Sequence, residues 1–243
     1  MLGNQPSGGQ GSHLNDGSVT APTRRVAITG ATGYLGRATT AKLLAKGHAV
    51  RALVRPGSSH RVATGAEARE LDLFDADELA RGLENCDTVV HLVGTSHPSP
   101  RKAPEFLRVD LASARVSIAA AVRSGVAHFV YVSVAQPAPV MKAYLAARAE
   151  AERVLSQSGL TATVVRPWYV LGPGHRWPLF LIPIYACADL FPGLREDARR
   201  LGLVTLAQMT NALVDAIERP PGSGVTRLIE VPQIKSSGSI KAR

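Results

Sequence analysis

The sequence predicts an α/β fold, a doubly wound parallel sheet with helices on both faces and a small C-terminal substrate-binding portion. Three observations carry that expectation. Strand-like and helix-like segments alternate from Arg25 to Val231, and a glycine-rich run joins the first strand to the first helix. The 243 residues are 45% hydrophobic, enough to bury the core of one domain.

Arg25-Val-Ala-Ile-Thr29 is a short apolar run ending at Gly30 and reads as the first strand. A helix follows from Leu35 to Lys46, where Gly47 stops it. His48–Val54 and Glu67–Leu71 read as the next two strands. Asp75–Asn85 opens on acidic residues and sets Leu79 and Leu83 one turn apart, as an amphipathic helix does. Asp87–Val93 is a fourth strand, and Glu105–Ser124 is a helix closed by Gly125. His128–Val134 is a fifth strand, Met141–Gln157 an alanine-rich helix closed by Gly159, and Thr161–Arg166 a sixth strand. After Pro167 the regularity fails until helix Leu206–Glu218 and strand Val225–Val231. Strands separated by helices in this way pair in parallel, because a parallel crossover needs a dozen or more residues. The expected organisation is one domain over 24–234 with a substrate-side insertion at 167–204. The polar stretches 1–23 and 235–243 hold too little apolar surface to offset the entropy of ordering and read as disordered tails.

Lys and Arg total 28 against 19 Asp and Glu, a net charge of +9. Twenty-two of the 28 are arginines, scattered along the chain, and no basic run is interleaved with stacking aromatics. A solvated surface is expected, with no nucleic-acid partner. The near-apolar run Trp177–Leu190 is broken by Pro178, Pro183 and Asp189, so no conventional membrane span is expected. Cys86 and Cys187 lack any CxxC or Cys/His spacing and follow no secretory signal, which points to a reduced, cytoplasmic protein. No histidine pair has metal-ligand spacing, and His91 falls in a buried strand, so no metal is expected.

Thr29-Gly30-Ala31-Thr32-Gly33-Tyr34-Leu35-Gly36 follows the first strand and opens the first helix. In a dinucleotide site, Gly30 permits the tight turn, Gly33 lets the backbone approach a pyrophosphate, and Gly36 lets helix and strand pack closely. The pyrophosphate then meets free N–H groups at a helix N-terminus. An ordinary tight turn would also use glycines, but strand, glycines and helix fall in the order that a Rossmann-like cradle requires. The second strand ends Ala52-Leu53-Val54-Arg55 without the acid that holds the ribose of NAD. Arg55 offers a charge-assisted fork to a 2′-phosphate and Arg37 adds to it, which favours NADP(H) over NAD(H); the plainer alternative is a solvated loop arginine.

These residues resemble the short-chain dehydrogenase/reductase superfamily in its extended and atypical branches. Thr29 to Gly36 has that branch's glycine spacing, and Leu71-Asp72-Leu73 resembles its adenine-contacting pair. His91-Leu92-Val93-Gly94 resembles the segment lying along the cofactor, and Phe106 to Asp110 the helix where the family often has Val-Asn, with Asp110 a departure. Tyr131-Val-Ser133, Tyr144 and the RPxxVxGPG run Arg166 to Gly174 complete the order. The resemblance spans about residues 24 to 234 and extends to the groups similar to the complex I accessory subunit and to NmrA-like cofactor sensors. It implies cofactor contacts from Thr29, Gly30, Thr32, Gly33, Tyr34, Leu35, Gly36 and Arg37, and further along from Arg55, Asp72, Leu73, Val93, Gly94 and Pro167.

The family's reaction uses a Ser to orient a carbonyl or hydroxyl, a Tyr as general acid/base and a Lys four residues later. Ser133 and Tyr144 match the first two, and Arg148 stands where the Lys would be, followed by Glu152. Arg keeps the charge, but its planar fork is not a compact ammonium. Lys142, two positions before Tyr144, faces away on a helix, and Glu150 and Glu152 point to different faces. His97 and His175 are placed to line a substrate cleft or a plain loop. The apolar stretch with Arg195, Arg199 and Arg200 reads as a packed lid, as the lining of a greasy pocket, or as a membrane contact through 177–191. The expected function is an NADP(H)-binding oxidoreductase acting on a carbonyl or hydroxyl of a small, apolar substrate. The alternatives are a non-catalytic dinucleotide sensor or assembly subunit, and a nucleotide-sugar epimerase or dehydratase.

Overall fold

The computed structural model describes residues 22–96, 98–138, 140–173 and 201–237. Seven strands form one parallel sheet: β1 (Arg25–Thr29), β2 (Ala49–Val54), β3 (Glu67–Glu70), β4 (Thr88–His91), β5 (His128–Val132), β6 (Ala162–Arg166) and β9 (Thr226–Glu230). Their order is β3-β2-β1-β4-β5-β6-β9. The chain winds outward from β1 to β3, then crosses back to β4 and winds the other way. The switch between β1 and β4 opens a crevice at the carboxyl ends of these strands, where such sheets bind ligands.

Strand composition follows from burial on both faces. Val26 and Ile28 pack to one side of β1 and Ala27 to the other, all with no exposed surface, so the strand is continuously apolar rather than alternating. One face is covered by α2 (Ala76–Leu83), α4 (Ala112–Arg123) and α5 (Lys142–Gln157), which contribute Leu79, Leu83, Ile118 and Leu155. The other is covered by α1 (Tyr34–Ala45), α6 (Leu206–Glu218) and α7 (Val231–Ser236), which contribute Leu43, Leu213, Ile217 and Ile234. Each such side chain contributes roughly 1.5–3 kcal/mol by leaving water. Asp75 caps α2 by accepting from the Asp77 and Glu78 N–H groups, and Thr205 and Gln208 cap α6 reciprocally.

Three details depart from the sequence expectation. The helix expected from Glu105 begins as α3 (Ala103–Glu105) and carries a π-helical segment, Phe106–Leu111, before α4. Two short strands, β7 (Tyr169–Leu171) and β8 (Leu203–Thr205), pair in parallel inside the stretch read as irregular. The expected last strand stops at Glu230, and Val231 starts α7, which runs past the expected tail boundary at 235. Glu230 and Gln233 cap that helix reciprocally, Pro232 sits in its first turn where no N–H is needed, and Val231 and Ile234 are fully buried. Among the described residues no helix is long and apolar enough to cross a membrane.

Candidate functional site

The cradle is made by backbone. Gly30 has φ +74°, and a Cβ there would meet the Leu92 carbonyl carbon and oxygen at 2.9 Å, so neither the turn nor the close approach of β4 tolerates a side chain. The Gly33 N–H donates to the Gly30 carbonyl at 3.0 Å, and Gly33 begins α1 without a side-chain cap. A Cβ on Gly36 would collide with the Gly30 carbonyl oxygen and approach the Ala31 Cα to 2.7 Å. No acid lies in the first turn of α1, so its leading N–H groups and helix dipole face the crevice without an internal anion. This cradle fits a pyrophosphate. Thr29 is fully buried beneath it, its hydroxyl 3.0 Å from His91 Nδ1, and Thr32 is half-buried in the turn.

At the outer end of the crevice Arg37 and Arg55 are exposed, and among the described residues no ion pair or hydrogen bond engages either guanidinium. The turn after Arg55 is anchored by Glu70, which accepts from the Gly57 N–H at 3.0 Å, the Ser59 hydroxyl at 2.7 Å and the Ser59 N–H at 3.2 Å. These bonds, the Gly57 N–H foremost, hold the Glu70 carboxyl below its ordinary pKa. Asp72 is exposed and accepts from the Phe74 N–H at 2.9 Å. The Leu73 side chain is not beside it in the crevice. It is buried in the core with Leu71 and Leu79.

At the inner end a cavity of about 620 Å³ opens beside the cradle. Tyr34 and Leu35 of α1 form one wall, Leu92 and Thr95 the floor, and Ser133, Tyr144, Arg148 and Pro167 the opposite side, with Val132, Val134, Met141, Trp168 and Val170 completing an apolar lining. The structure thus brings the three expected catalytic residues to one cavity with two cradle residues. Met141 adopts a left-handed conformation, φ +58°, directly before α5, and this closes the short link from Ser133 to Tyr144.

Arg148 lines that cavity, but its guanidinium is committed to neighbouring protein groups. Its side chain is 7% exposed, and Nη2 is 2.6 Å from Asp110 Oδ1 while Nη1 donates to the Val132 carbonyl at 2.9 Å. The guanidinium also lies over the Tyr131 and Tyr144 rings, 5.7 and 5.2 Å from their centroids. Asp110 Oδ2 accepts from the Thr95 N–H at 3.0 Å and the Thr95 hydroxyl at 2.6 Å. Asp110 and Arg148 therefore clasp the segment following β4, the π segment, the end of β5 and α5. A Cβ on Gly94 would collide with the Arg148 guanidinium, and the Val93 N–H lies against Gly30. Beside this clasp His91 is wholly buried, and desolvation first, then the Arg148 charge, lower its pKa to about 3, so it is a neutral imidazole.

Ser133 lies just past β5, with its N–H on the Val165 carbonyl at 2.8 Å. Its hydroxyl donates to Glu152 Oε1 at 2.5 Å. The same oxygen accepts from Gln136 Nε2 at 2.9 Å and Arg166 Nε at 3.0 Å, and Oε2 from Arg166 Nη2 at 2.5 Å. Sequence reasoning noted Asp110 and Glu152 without finding their partners, and it did not single out Thr95, Gln136 or Glu70. Residues far apart in the chain carry no spacing signal for such pairings. His97, Gly174, His175, the stretch Trp177–Leu190, Arg195, Arg199 and Arg200 lie outside the described residues. Among the described residues no group of three His, Cys, Asp or Glu is placed to hold a metal ion.

A family model described as NAD(P)H-binding matches residues 30–174, more than half of the chain. Ceramide reductase of Caulobacter vibrioides is 29% identical over 208 residues, 85% of this chain and 64% of that protein. The 4-hydroxy-2-methyl-3-oxo-4-farnesyl-3,4-dihydroquinoline-1-oxide ketoreductase of Stigmatella aurantiaca is 30% identical over 170 residues, 61% of this chain and 51% of its own length. The chain thus spans between half and two thirds of these relatives. The UDP-N-acetylglucosamine 4-epimerase structure from Bacillus cereus shares the fold, with a TM-score of 0.65 at 17% identity over 86% of this chain and 78% of that one. The strand order and the epimerase structure show a shared fold, and the family match over residues 30–174 shows that the chain belongs to the NAD(P)H-binding family.

Proposed function

We propose that the protein is an NADP(H)-dependent oxidoreductase acting on a carbonyl or hydroxyl of a small, apolar substrate. The observation that carries this reading is the cavity itself, which joins the cradle residues Tyr34 and Leu35 to Ser133 and Tyr144 within a largely apolar lining. Its volume, about 620 Å³, suits a small ligand. Two relatives are named for reducing a ceramide and a farnesylated quinoline oxide, both rich in apolar surface.

Gly30, Gly33 and Gly36 would hold the pyrophosphate of a nicotinamide cofactor, Arg55 and Arg37 its 2′-phosphate and Asp72 its adenine, and the cofactor would supply or take a hydride when bound. Tyr144 gives or takes the proton at the reacting oxygen through its hydroxyl. Ser133 fixes that oxygen's position. Arg148 is a positioning residue: bound to Asp110 and Val132, it fixes the wall behind Tyr144 rather than holding a ribose. That commitment of Arg148 also favours a second reading, a dinucleotide-binding protein without turnover.

Titration of the protein with NADPH and NADH, followed by nicotinamide fluorescence, tests the cofactor. NADPH is expected to bind more tightly, and equal or tighter NADH binding would discard the Arg55 argument. A screen of hydrophobic ketones and quinones with NADPH separates the readings. Turnover supports the enzyme, and tight cofactor binding without turnover supports the second reading.

A further inference from the structure

We propose that Glu152 fixes the direction of the Ser133 hydrogen bond, so that the Ser133 hydroxyl meets a ligand only as an acceptor and the site prefers a hydroxyl-bearing ligand to a carbonyl-bearing one. The inference rests on the proposed cavity reading and adds the chemistry of the group it selects.

Glu152 is paired with Arg166 through both carboxylate oxygens, at 3.0 and 2.5 Å, and a carboxylate only accepts. Oε1 already receives the Gln136 amide N–H and the Arg166 Nε–H. Ser133 Oγ lies 2.5 Å from that same oxygen, a separation two oxygens tolerate only with a proton between them. Ser133 has one proton, and it is spent there.

Ser133 is 4% exposed and lines the cavity with Tyr144. What it offers there is lone pairs. A ligand hydroxyl can donate to Ser133 and still accept from the Tyr144 phenol. A carbonyl oxygen has no proton to give. It would have to draw the Ser133 proton away from Glu152, leaving two oxygen lone pairs facing each other within a largely buried cluster, where unpaired polar groups are expensive. The usual expectation for a serine in this place is a donor to the reacting oxygen. Here the donor role falls to Tyr144 alone.

The test uses the full-length protein loaded with NADP⁺ and two unreactive ligands on the same decyl chain, a tertiary alcohol and an N,N-dialkylamide, measured by calorimetry. The alcohol donates and accepts, whereas the amide only accepts. The native protein is expected to hold the alcohol about tenfold more tightly, the worth of one hydrogen bond. Glu152→Ala frees the Ser133 proton and is expected to bring the ratio near one. Glu152→Gln, whose amide oxygen can stand where Oε1 stands, is expected to keep the preference. Ser133→Ala removes the acceptor and with it the preference, and it carries the test if Glu152→Ala fails to fold. A change in packing alone would not separate the two ligands. Equal binding of both by the native protein, or an unchanged ratio in Glu152→Ala, would overturn the inference alone. Binding of neither ligand by protein that does bind the cofactor would overturn the apolar-substrate reading, and this inference with it.

Discussion

At the cradle, Gly30, Gly33 and Gly36 shape the main chain and no side chain caps α1. At the substrate end, Asp110, Arg148, Ser133, Glu152 and Arg166 are bound to one another in two clusters. A site made of backbone is intolerant at a few glycines and indifferent elsewhere. A site made of paired side chains fails when one partner is removed and can survive when both are. His91 connects the two, with Nδ1 on Thr29 below the cradle and the Arg148 charge beside it.

The largest effect is expected at the cradle. Gly36→Val places a branched side chain onto the Gly30 carbonyl, and a loss of about 3 kcal/mol or more in urea denaturation should accompany loss of NADPH binding. A variant of native stability that still binds the cofactor would break the backbone half of the comparison. In the clasp, Asp110→Asn leaves the buried Arg148 guanidinium without its counter-charge, a loss of about 3–5 kcal/mol. Adding Arg148→Met removes the unpaired charge and should restore much of that stability. If the double variant is no better than the single one, the two residues do not act as a pair.

The link between the regions is tested by pH. His91 has a folded pKa of about 3 against an ordinary value near 6.5, so below pH 6.5 the unfolded chain takes up a proton that the folded one refuses. Stability should therefore be intact above pH 6.5 and fall as the pH drops toward 3, by several kcal/mol in all, on the order of 4. His128, lowered to about 4 mainly by burial, adds a loss of its own over pH 6.5 to 4. Denaturation midpoints of His91→Gln should decline less steeply than those of the native protein, and parallel curves would remove His91 from the account. The smallest effect belongs to the exposed edge. Arg55→Glu should weaken NADPH by about tenfold, leave NADH nearly unchanged and not alter stability.

The fold was legible because each local signal agreed with the global one. The glycine spacing, the helix stops at Gly47, Gly125 and Gly159, and the doubly buried strands all gave their elements within a few residues. What escaped was short or non-local. β7 and β8 have three residues each, too few for a period to show. The capping residue of α7 is Glu230, not one of the small polar residues that usually announce a helix, so Val231 read as strand. At the site the residues were found and their relations were not. Asp110 and Arg148 looked like two separate departures from the family pattern, and only the 2.6 Å contact between them shows that each answers the other. Helix spacing turns Glu152 away from Glu150, and its bond to Ser133, 19 residues away, has no trace in spacing.

The cavity behind the cradle is proposed to perform hydride chemistry with Tyr144 as its proton-transfer group. The direct measurement is NADPH oxidation with an apolar ketone substrate, by native protein and by Tyr144→Phe, each saturated with NADPH. The variant is expected to bind NADPH as the native protein does and to keep its melting temperature, while its turnover falls by about 10²–10⁴-fold. Full turnover in Tyr144→Phe would contradict it.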